Sequence, residues 1–287
     1  MKLPFFLARR FVAAEDLVGT LPVLRDLQHK GLYTTVDLLG EYISDRTLAL
    51  LARDAYVDLL RTLAAEYAPT GRPPNLSIKL SMMGQKIDEA FCLDNLRHLL
   101  EVARTHNAFI RLDMEGSDIT ASTIRLFEAV YPDYRDHVGI VLQAYLKRTR
   151  GDVEQMCALN ARVRLCKGAY KEPPDVAYQN MDDIRARFTE YMQLLLKHAR
   201  YPGIATHDDR LIDATRAYVA REGIRRDDFE FQMLYGIRPQ TQEQIAGAGY
   251  NIRIYVPYGE RWLPYYSRRL RERKENIFFI LKHLVRQ

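Results

Sequence analysis

The segment VRLCKGAY, residues Val163–Tyr170, begins as a short apolar run and then turns to a lysine and a glycine. Short runs of this kind, bounded by a loop signal, are typical of a buried strand. Farther along, the stretch from Phe188 to Leu196 carries apolar residues at helical spacing. The segment therefore predicts a strand that leads through a loop into an amphipathic helix.

This strand-and-helix pattern occurs eight times along the chain. Regular alternation of strands and helices indicates parallel strands joined by crossover helices. Eight such units on about 250 residues have the size of a (β/α)8 barrel. The predicted strands are Leu32–Val36, Leu76–Leu80, Ala108–Leu112, Gly139–Ala144, Val163–Lys167, Gly203–Thr206, Phe229–Gln232 and Ile252–Val256.

The competing architecture is a doubly wound open sheet, which usually opens with a glycine-rich turn after its first strand. Here the first predicted strand is followed by the segment DLLGE, residues 37–41, and the chain has no GxGxxG motif. The sequence therefore favours an α/β fold of the (β/α)8 TIM-barrel type, with extra helices at both ends. We expect one domain over residues 1–287, with a helical extension at 1–31, the barrel at 32–273 and a helical tail at 274–287.

The composition is that of an ordinary globular protein, with 47% apolar and 28% charged residues. It argues against disorder, collagen and coiled coil. No uncharged apolar run approaches the roughly 18 residues that a membrane span needs, and we expect no signal peptide. The 3 cysteines are widely spaced, which fits a reducing cytoplasm and gives no metal motif.

The C-terminal stretch is basic, since residues 261–287 hold eight Lys/Arg and two acids. A local basic cluster can meet nucleic acid, anionic lipid or an anionic ligand. No zinc-finger, RNP or homeodomain pattern accompanies it, so nucleic acid is the least supported of these. The plainer interpretation is a solvated helix face.

Polar side chains stand at the carboxyl ends of nearly all the predicted strands. In a barrel the active site lies at these ends, so we expect the side chains to line one polar pocket. They are Lys79, Asp113, Gln143, Lys167, Thr206, His207, Gln232 and Tyr255.

Three arginines, Arg111, Arg164 and Arg253, interrupt otherwise apolar strands. A buried guanidinium is costly unless it meets a carboxylate or a ligand. We expect acids to pair with Arg111 and Arg253, whereas Arg164 is the candidate for a ligand. The available acids are Asp113, Glu115 and Glu230.

The residues that follow Arg164 predict an anion site. A lysine and then a glycine, Lys167 and Gly168, let backbone N–H groups approach an anion closely. Thr206 and His207 end the next strand and add donors, which favours a phosphate-bearing cofactor. His207 followed by two aspartates could instead bind a metal, but no second histidine ends a strand, so metal is the minority interpretation.

The helix predicted after the eighth strand carries two adjacent arginines, Arg268 and Arg269. Adjacent helical residues point about 100° apart. One arginine can therefore bind a substrate carboxylate while the other binds a cofactor phosphate. Glu272 shares a face with Arg268, so the alternative is a surface helix that is stabilised by ion pairs along its exposed face.

Together these segments resemble the proline dehydrogenase family, FAD-dependent enzymes that oxidise L-proline on a distorted (β/α)8 barrel. The strand-five segment and the double-arginine helix are the most specific matches, and the short bacterial type without partner domains is the nearest kind. The matching segments, in order, are 39–41, 77–81, 112–113, 143–145, 164–170, 205–207, 230–236, 253–257 and 265–272.

The resemblance implies oxidation of L-proline to Δ1-pyrroline-5-carboxylate by hydride transfer to FAD, with the electrons passed to a quinone. It implies catalytic roles for Lys79, Asp113 and Tyr255. The implied substrate-binding residues are Lys79, Asp113, Tyr170, Leu234, Tyr255, Tyr265, Arg268 and Arg269. The implied FAD-binding residues are Gln143, Arg164, Lys167, Gly168, Ala169, Thr206, His207, Gln232, Arg269 and Glu272.

The barrel topology also suggests a gate between Glu41 and Arg268. Strands one and eight are neighbours in a closed barrel, so the loop with Glu41 and the helix with Arg268 meet at the pocket mouth. Without substrate we expect this pair to be solvent-exposed and worth roughly 0–1 kcal/mol. Substrate binding would then close the mouth and exclude water.

Two further features concern the cofactor and the membrane. Asp208 stands where relatives often carry asparagine, which places an anion near the expected FAD pyrophosphate. Ile277–Val285 is apolar enough for peripheral docking on the membrane that holds the quinone. We therefore expect a cytoplasmic enzyme that can bind to the inner face of this membrane. The chain has no room for the second, aldehyde-oxidising domain of bifunctional relatives, so we expect a single activity and no metal.

Two other functions remain open at this point. The first is a Schiff-base aldolase on the same fold, with Lys79 or Lys167 as its nucleophile. The second is a non-enzymatic module that binds lipid or nucleic acid through the basic C-terminal helix. Flavin in the purified protein would favour the proline-oxidising enzyme over both of these functions.

Overall fold

The computed structural model, which describes residues 4–272, contains a closed barrel of eight parallel strands in chain order. Each strand pairs with the next, and the first pairs with the eighth to close the ring. The predicted (β/α)8 fold and all eight predicted strands are confirmed. The strands are β1 Tyr33–Leu38, β2 Asn75–Ile78, β3 Phe109–Leu112, β4 Val138–Gln143, β5 Val163–Cys166, β6 Gly203–Ala205, β7 Glu230–Leu234 and β8 Asn251–Tyr258.

Seven helices connect consecutive strands, one precedes β1 and one follows β8 within the described range. They surround the barrel and bury their apolar faces against it. The helices are α1 Leu17–His29, α2 Arg46–Tyr67, α3 Glu89–Thr105, α4 Ser117–Tyr134, α5 Thr149–Ala158, α6 Met181–His198, α7 Asp209–Glu222, α8 Pro239–Gly247 and α9 Trp262–Glu272.

The strand boundaries differ from the predicted ones where polar side chains lie inside the barrel. The sequence places Gln232 and Tyr255 at or next to strand ends, but β7 continues to Leu234 and β8 to Tyr258. Strand assignment from apolar runs stops at the first polar residue. A barrel interior can keep a polar side chain within a strand when a partner lies across the ring.

Helix α2 shows how local sequence sets these elements. Asp45 precedes it, and the carboxylate accepts a hydrogen bond of 2.9 Å from the backbone N–H of Leu48. This side chain satisfies one of the four free N–H groups at the helix start. Leu59, Leu60 and Leu63 then lie fully buried on one face, so the helix packs against the barrel along that stripe.

The segment before α1 packs against the helix that follows β8. Phe11 of this segment contacts Tyr266 of α9, with ring centroids 6.3 Å apart. Trp262 donates a hydrogen bond of 3.2 Å to Glu15, and Ala13 N–H donates to the Pro257 carbonyl at 2.9 Å. The N-terminal segment therefore holds α9 in place over the barrel.

The buried arginines of the strands differ in their partners. Arg253 donates to both carboxylate oxygens of Glu230, at 2.7 and 2.9 Å, as expected. Arg111 was expected to pair with an acid, and this is wrong: its guanidinium donates to the carbonyls of Ile140 and Arg162. Its ring neighbour Phe109, 4.9 Å away, adds a cation–π contact. Backbone carbonyls thus take the place of the expected carboxylate.

Among residues 4–272, no helix is long and apolar enough to cross a bilayer. The expected helical tail at 274–287, including the membrane-docking stretch Ile277–Val285, lies outside the described residues. The division into an extension, a barrel and a tail stays a prediction.

Candidate active site

A cavity of about 1000 Å³ opens at the carboxyl ends of the strands. Its wall brings together all but two of the predicted site residues. These residues are Lys79, Asp113, Gln143, Arg164, Lys167, Gly168, Ala169, Tyr170, Thr206, His207, Gln232, Leu234, Tyr255, Tyr265, Arg268 and Arg269. Of the remaining two, Glu41 contacts the wall residue Arg268, and the side chain of Glu272 lies outside the described part.

Lys79 follows β2 and meets Asp37 of β1 at the floor of the cavity. Its Nζ lies 2.9 and 3.1 Å from the two carboxylate oxygens of Asp37. Burial disfavours the charged ammonium, but the carboxylates of Asp37 and Asp113 outweigh it and raise the pKa of Lys79. Lys79 is therefore a fixed cation, and a protonated amine is no Schiff-base nucleophile.

Sequence reasoning missed Asp37 as a functional residue. The available signal was a carboxylate near the end of the first apolar strand, next to the strand that Lys79 follows. The β1–β2 register, with Asp37 beside Ser77, brings the two charges together.

Asp113 joins two elements across the cavity. One carboxylate oxygen accepts a hydrogen bond of 2.7 Å from the Tyr255 hydroxyl, and the other accepts one of 2.7 Å from Arg164. Burial raises the pKa of Asp113 although Arg164 and Lys79 act against it. Burial and the neighbouring carboxylates also raise the pKa of Tyr255 well above its usual value. Tyr255 thus remains a protonated hydrogen-bond donor.

Arg164 is held by protein groups on three sides. Besides Asp113 it donates to the Ser77 hydroxyl at 2.9 Å and to the side-chain oxygen of Gln232. Its guanidinium also lies 5.3 Å from the centroid of the Tyr255 ring. The sequence analysis reserved Arg164 for a ligand, yet it pairs with a carboxylate as Arg253 does. It remains on the cavity wall, where an anion could share it.

A second charged cluster lies on the wall formed by β5, β6 and α6. Asp208 accepts hydrogen bonds from Lys167 Nζ at 3.1 Å and from Arg185 Nε at 2.8 Å. Burial would raise the pKa of Asp208, but the bonds from Arg185 and Lys167 lower it. Asp208 also accepts from the backbone N–H of Arg210 at the start of α7. Arg185 also donates to Asp182 at 2.8 Å, so two cations and two carboxylates balance in this cluster.

His207 is fixed as a neutral imidazole of one tautomer. Its Nε2 accepts a hydrogen bond of 2.9 Å from the Leu234 backbone N–H, so the proton resides on Nδ1. Arg238, a wall residue that the sequence analysis missed, donates to the His207 carbonyl and to Asp209, both at 2.6 Å. Nothing in the sequence around Arg238 signals this position. In the described chain no three His, Cys, Asp or Glu side chains cluster as a metal site.

Gly168 lets the backbone line the cavity closely. Its φ of +112° lies in the region that L side chains rarely adopt, and an added Cβ would lie 2.2 Å from the Tyr145 ring. Any other residue would therefore strain the loop after β5. On the neighbouring strand, the buried oxygen Oε1 of Gln143 has no hydrogen-bond partner among the described residues, which leaves an acceptor for a ligand N–H group.

At the mouth of the cavity, Arg268 of α9 donates to Glu41 of the loop after β1. The side chains are 23% and 16% exposed, so the expectation of a solvent-exposed pair is wrong. The guanidinium also lies 5.7 Å from the Tyr170 ring centroid, and this ring shields the pair from one side. Arg269 is buried beside the Tyr265 ring, 5.1 Å away. The two arginines thus face the site rather than forming a solvated helix face.

Comparison with known proteins agrees with this geometry. The family model described as proline dehydrogenase matches residues 20–281. Proline dehydrogenase 2 of Bacillus subtilis is 37% identical over 280 residues, which cover 98% of this chain and 91% of the relative. Proline dehydrogenase of Deinococcus radiodurans is 38% identical over 284 residues, covering 98% and 90%.

Solved structures show the same fold. Proline utilization A from Bdellovibrio bacteriovorus, inactivated by N-propargylglycine, superimposes with a TM-score of 0.87 at 26% identity. The match covers 93% of this chain and 32% of that one, so this chain spans about a third of the longer protein. The family model and the curated relatives both extend over nearly all of the barrel. The chain belongs to the proline dehydrogenase family.

Proposed function

We propose that the protein oxidises L-proline to Δ1-pyrroline-5-carboxylate, the first step of proline catabolism, with FAD as hydride acceptor and a quinone as the next acceptor. The observation that carries this proposal is the polarity of the cavity. Arg268 and Arg269 lie together on α9 at one side. Lys167 and Arg238 lie on another wall, paired with Asp208 and Asp209. One side suits a carboxylate and the other suits a phosphate.

The donor set fits FAD. The unpartnered Gln143 oxygen offers an acceptor to a flavin N–H, and the glycine backbone at 168 allows a close approach. The cations Lys167 and Arg238 line this wall and offer charged N–H donors to a pyrophosphate. The residues that would hold FAD are Gln143, Arg164, Lys167, Gly168, Ala169, Thr206, His207, Gln232, Arg269 and Glu272. When bound, FAD supplies the hydride acceptor.

The arginine pair would fix the substrate by its carboxylate. Bonds between guanidinium and carboxylate are charge-assisted and directional, so they set the position of the proline ring as well as its affinity. Tyr170, Leu234 and Tyr265 would close the apolar side of the ring. Holding the reacting carbon in one orientation is the main contribution that such a site can make.

Lys79, Asp113 and Tyr255 would act on the reacting end of proline. The amine must be neutral before a hydride leaves the neighbouring carbon C5. Lys79 stays charged beside Asp37, and a like charge near the substrate amine favours the amine's neutral form. Asp113 forms an ion pair with Arg164. It also accepts a hydrogen bond from the Tyr255 hydroxyl, which holds the Tyr255 ring in place. The ring can then pack on proline without turning.

The quinone would be reached from a membrane surface through the apolar stretch Ile277–Val285, with the protein on its inner face. This part of the proposal rests on the sequence pattern alone. Vesicles that contain quinone would test it: proline-dependent quinone reduction should exceed that in detergent-free buffer without vesicles. Equal rates in both would remove the membrane from the proposal.

One experiment tests the reaction itself. We expect the purified protein to be yellow, and L-proline added without oxygen should bleach the flavin absorbance. Sodium borohydride in the presence of a 2-oxo acid such as pyruvate should trap no covalent lysine adduct, because Lys79 and Lys167 are ion-paired cations. A colourless protein, or a flavin that proline leaves unchanged, would refute the proposal, and a borohydride-trapped lysine would support the aldolase.

A further inference from the structure

The loop between β5 and α6, residues 167–180, carries part of the cavity wall and is attached to the barrel at separate points. One attachment lies at its end, where Lys147 N–H donates to the Val176 carbonyl at 3.0 Å and Tyr178 N–H to Tyr145 at 2.8 Å. Between this point and Gly168, Tyr170 points toward the mouth of the cavity, where its ring contacts Arg268. The stretch with Tyr170 needs an anchor of its own to stay there.

Glu172 supplies that anchor. One of its carboxylate oxygens accepts a hydrogen bond of 2.8 Å from the Ser117 backbone N–H, and the other accepts from the Ser117 hydroxyl. Ser117 is the first residue of α4, and the residue before it, Gly116, has no side chain to cap the helix. A carboxylate 55 positions away therefore caps α4, where the helix dipole also favours negative charge.

The contacts form a continuous path around the mouth of the cavity. Ser117 holds Glu172, which lies two residues from Tyr170. Tyr170 covers the guanidinium of Arg268, and Arg268 in turn donates to Glu41. The start of α4, the β5–α6 loop, α9 and the loop after β1 are joined in this way. The mouth is thus shaped by groups from distant parts of the chain.

We propose that Glu172 is a positioning residue for the substrate: by capping α4 it anchors the β5–α6 loop and keeps Tyr170 against Arg268. Arg268 is then held in the orientation that receives the carboxylate, and less ordering is needed when substrate binds. The inference rests on the proposed function, since Arg268 is taken there as the carboxylate ligand. Glu172 itself touches neither substrate nor flavin in this account.

The capping contact can be removed from either side. Glu172→Ala removes the acceptor, whereas Glu172→Gln keeps a carbonyl oxygen that still accepts from Ser117. Ser117→Pro removes both donors and leaves the loop sequence unchanged. Proline is well tolerated at the first position of a helix, and the extended backbone of Gly116, with ψ of 157°, suits a residue before proline. Glu154→Ala, which breaks an exposed ion pair on α5, is the matched control.

Steady-state kinetics provide the first readout. We expect Glu172→Ala and Ser117→Pro to raise the KM for proline roughly five- to tenfold, the size of one ordinary net hydrogen bond, because the contact acts on the substrate only through Arg268. The kcat should stay within about twofold. The double variant Glu172→Ala/Ser117→Pro should show no further increase in KM, since the two changes remove the same contact. Glu172→Gln should restore most of the affinity, and the Glu154 control should match the parent in KM, kcat and flavin content.

Limited trypsin digestion provides a second readout that does not depend on activity. Lys171 is exposed on the loop, and cleavage there gives two fragments that mass spectrometry identifies. We expect faster cleavage in Ser117→Pro than in the parent or in the Glu154 control, at equal melting temperature. If the parent does not oxidise proline, the proposed function fails and this digestion alone decides whether Glu172 anchors the loop.

The inference would be overturned by a parent-like KM in both Glu172→Ala and Ser117→Pro. It would also be overturned by equal cleavage rates at Lys171, or by effects that multiply in the double variant. A loss of kcat with unchanged KM would contradict it as well, because a general structural defect, and not the position of Arg268, would then explain the result.

Discussion

The ammonium of Lys79 and the carboxylate of Asp37 lie 2.9 Å apart at the floor of the cavity, with side chains only 7% and 0% exposed. Two consecutive strands thus bring a buried ion pair to the cavity. Removing one partner of a buried pair leaves the other charge uncompensated. The pair therefore links the stability of the barrel to the charge of the site.

We expect Asp37→Asn to lower the free energy of unfolding by about 3 kcal/mol or more, because Lys79 loses its direct counter-ion. The double variant Asp37→Asn/Lys79→Met should be more stable than Asp37→Asn alone, since it leaves no buried ammonium without its counter-ion. Urea unfolding would measure both. Asp58→Asn, at an exposed pair with Arg61, is the control. A double variant less stable than both single ones would contradict this account of the pair.

The arginine pair predicts how the enzyme recognises charge. Replacing Arg268 or Arg269 by Met should raise the KM for proline at least tenfold, because bonds to charged groups are worth about 1.5–3 kcal/mol. Proline analogues without the carboxylate should bind poorly to the parent enzyme. Arg150→Met, at an exposed pair on α5, should leave the KM unchanged. Parent-like KM values in both variants would refute the assignment.

Tyr255 predicts ring selectivity. Tyr255→Ser should weaken proline by about tenfold and improve tolerance of 4-hydroxyproline, because space and polarity open beside ring carbon four. Tyr255→Phe keeps the ring and loses only the bond to Asp113, so it should keep the parent's preference. Steady-state kinetics with both substrates would decide. Equal losses for the two substrates in Tyr255→Ser would place this ring away from proline.

The predicted gate consists of Glu41 and Arg268, whose ion pair is half-buried. Glu41→Ala should lower kcat/KM for proline about tenfold while melting temperature and flavin content stay nearly unchanged, because Arg268 loses the partner that holds it over the cavity. Glu66→Ala breaks the surface pair with Arg25 and should have no such effect. Parent-like kinetics in Glu41→Ala, or an unmoved α9 in free and inhibitor-bound crystals, would count against a gate.

The buried thiols predict an alkaline loss of stability. Burial raises the pKa of Cys92 and of Cys166 to about 12, whereas an unfolded thiol has a pKa of about 8.5. Between these values the folded chain holds protons that the unfolded chain releases. The contribution of these thiols to the free energy of unfolding should therefore be constant well below pH 8.5 and fall as the pH rises above about 8.5.

Urea unfolding at several pH values between 7 and 9 would measure this slope, below the range in which unfolded tyrosine and lysine titrate. Cys166→Ala should make the slope shallower, and Cys92→Ala/Cys166→Ala should reduce it further, leaving the share of Cys157, whose pKa burial also raises. A slope that both variants leave unaltered would assign the effect to other groups. The native thiols should also react slowly with disulfide reagents at pH 8.

Most of the site could be predicted because a barrel brings its strand ends together. Once Val163–Cys166 and Gly203–Ala205 are neighbours, Lys167 and His207 must lie at one rim, whatever the loops do. The periodicity of apolar residues and the polar residues at strand ends are local properties, so they can be recognised in the sequence alone. Pairing of the strands then brings these polar residues together around one pocket.

The remaining features depend on distances that the local pattern does not contain. The contact of Asp37 with Lys79 follows from the register between two strands, and Arg111 binds carbonyls because Gly139 leaves room for its guanidinium. Glu172 caps a helix 55 positions away, and nothing near it in the sequence signals that role. The half-buried state of Arg268 likewise depends on a tyrosine from another loop.

Ring closure joins parts of the chain that are far apart in sequence, as in the bond from Arg253 to the Thr34 carbonyl, 219 positions away. Loop-closure entropy makes long-range contacts of this kind costly to form. Tyr255 reaches Asp113 only from the strand that closes the ring, and α9 presents its arginines only beyond that strand. We therefore expect a partly folded chain with an open ring to contain helices and strands but no complete active site.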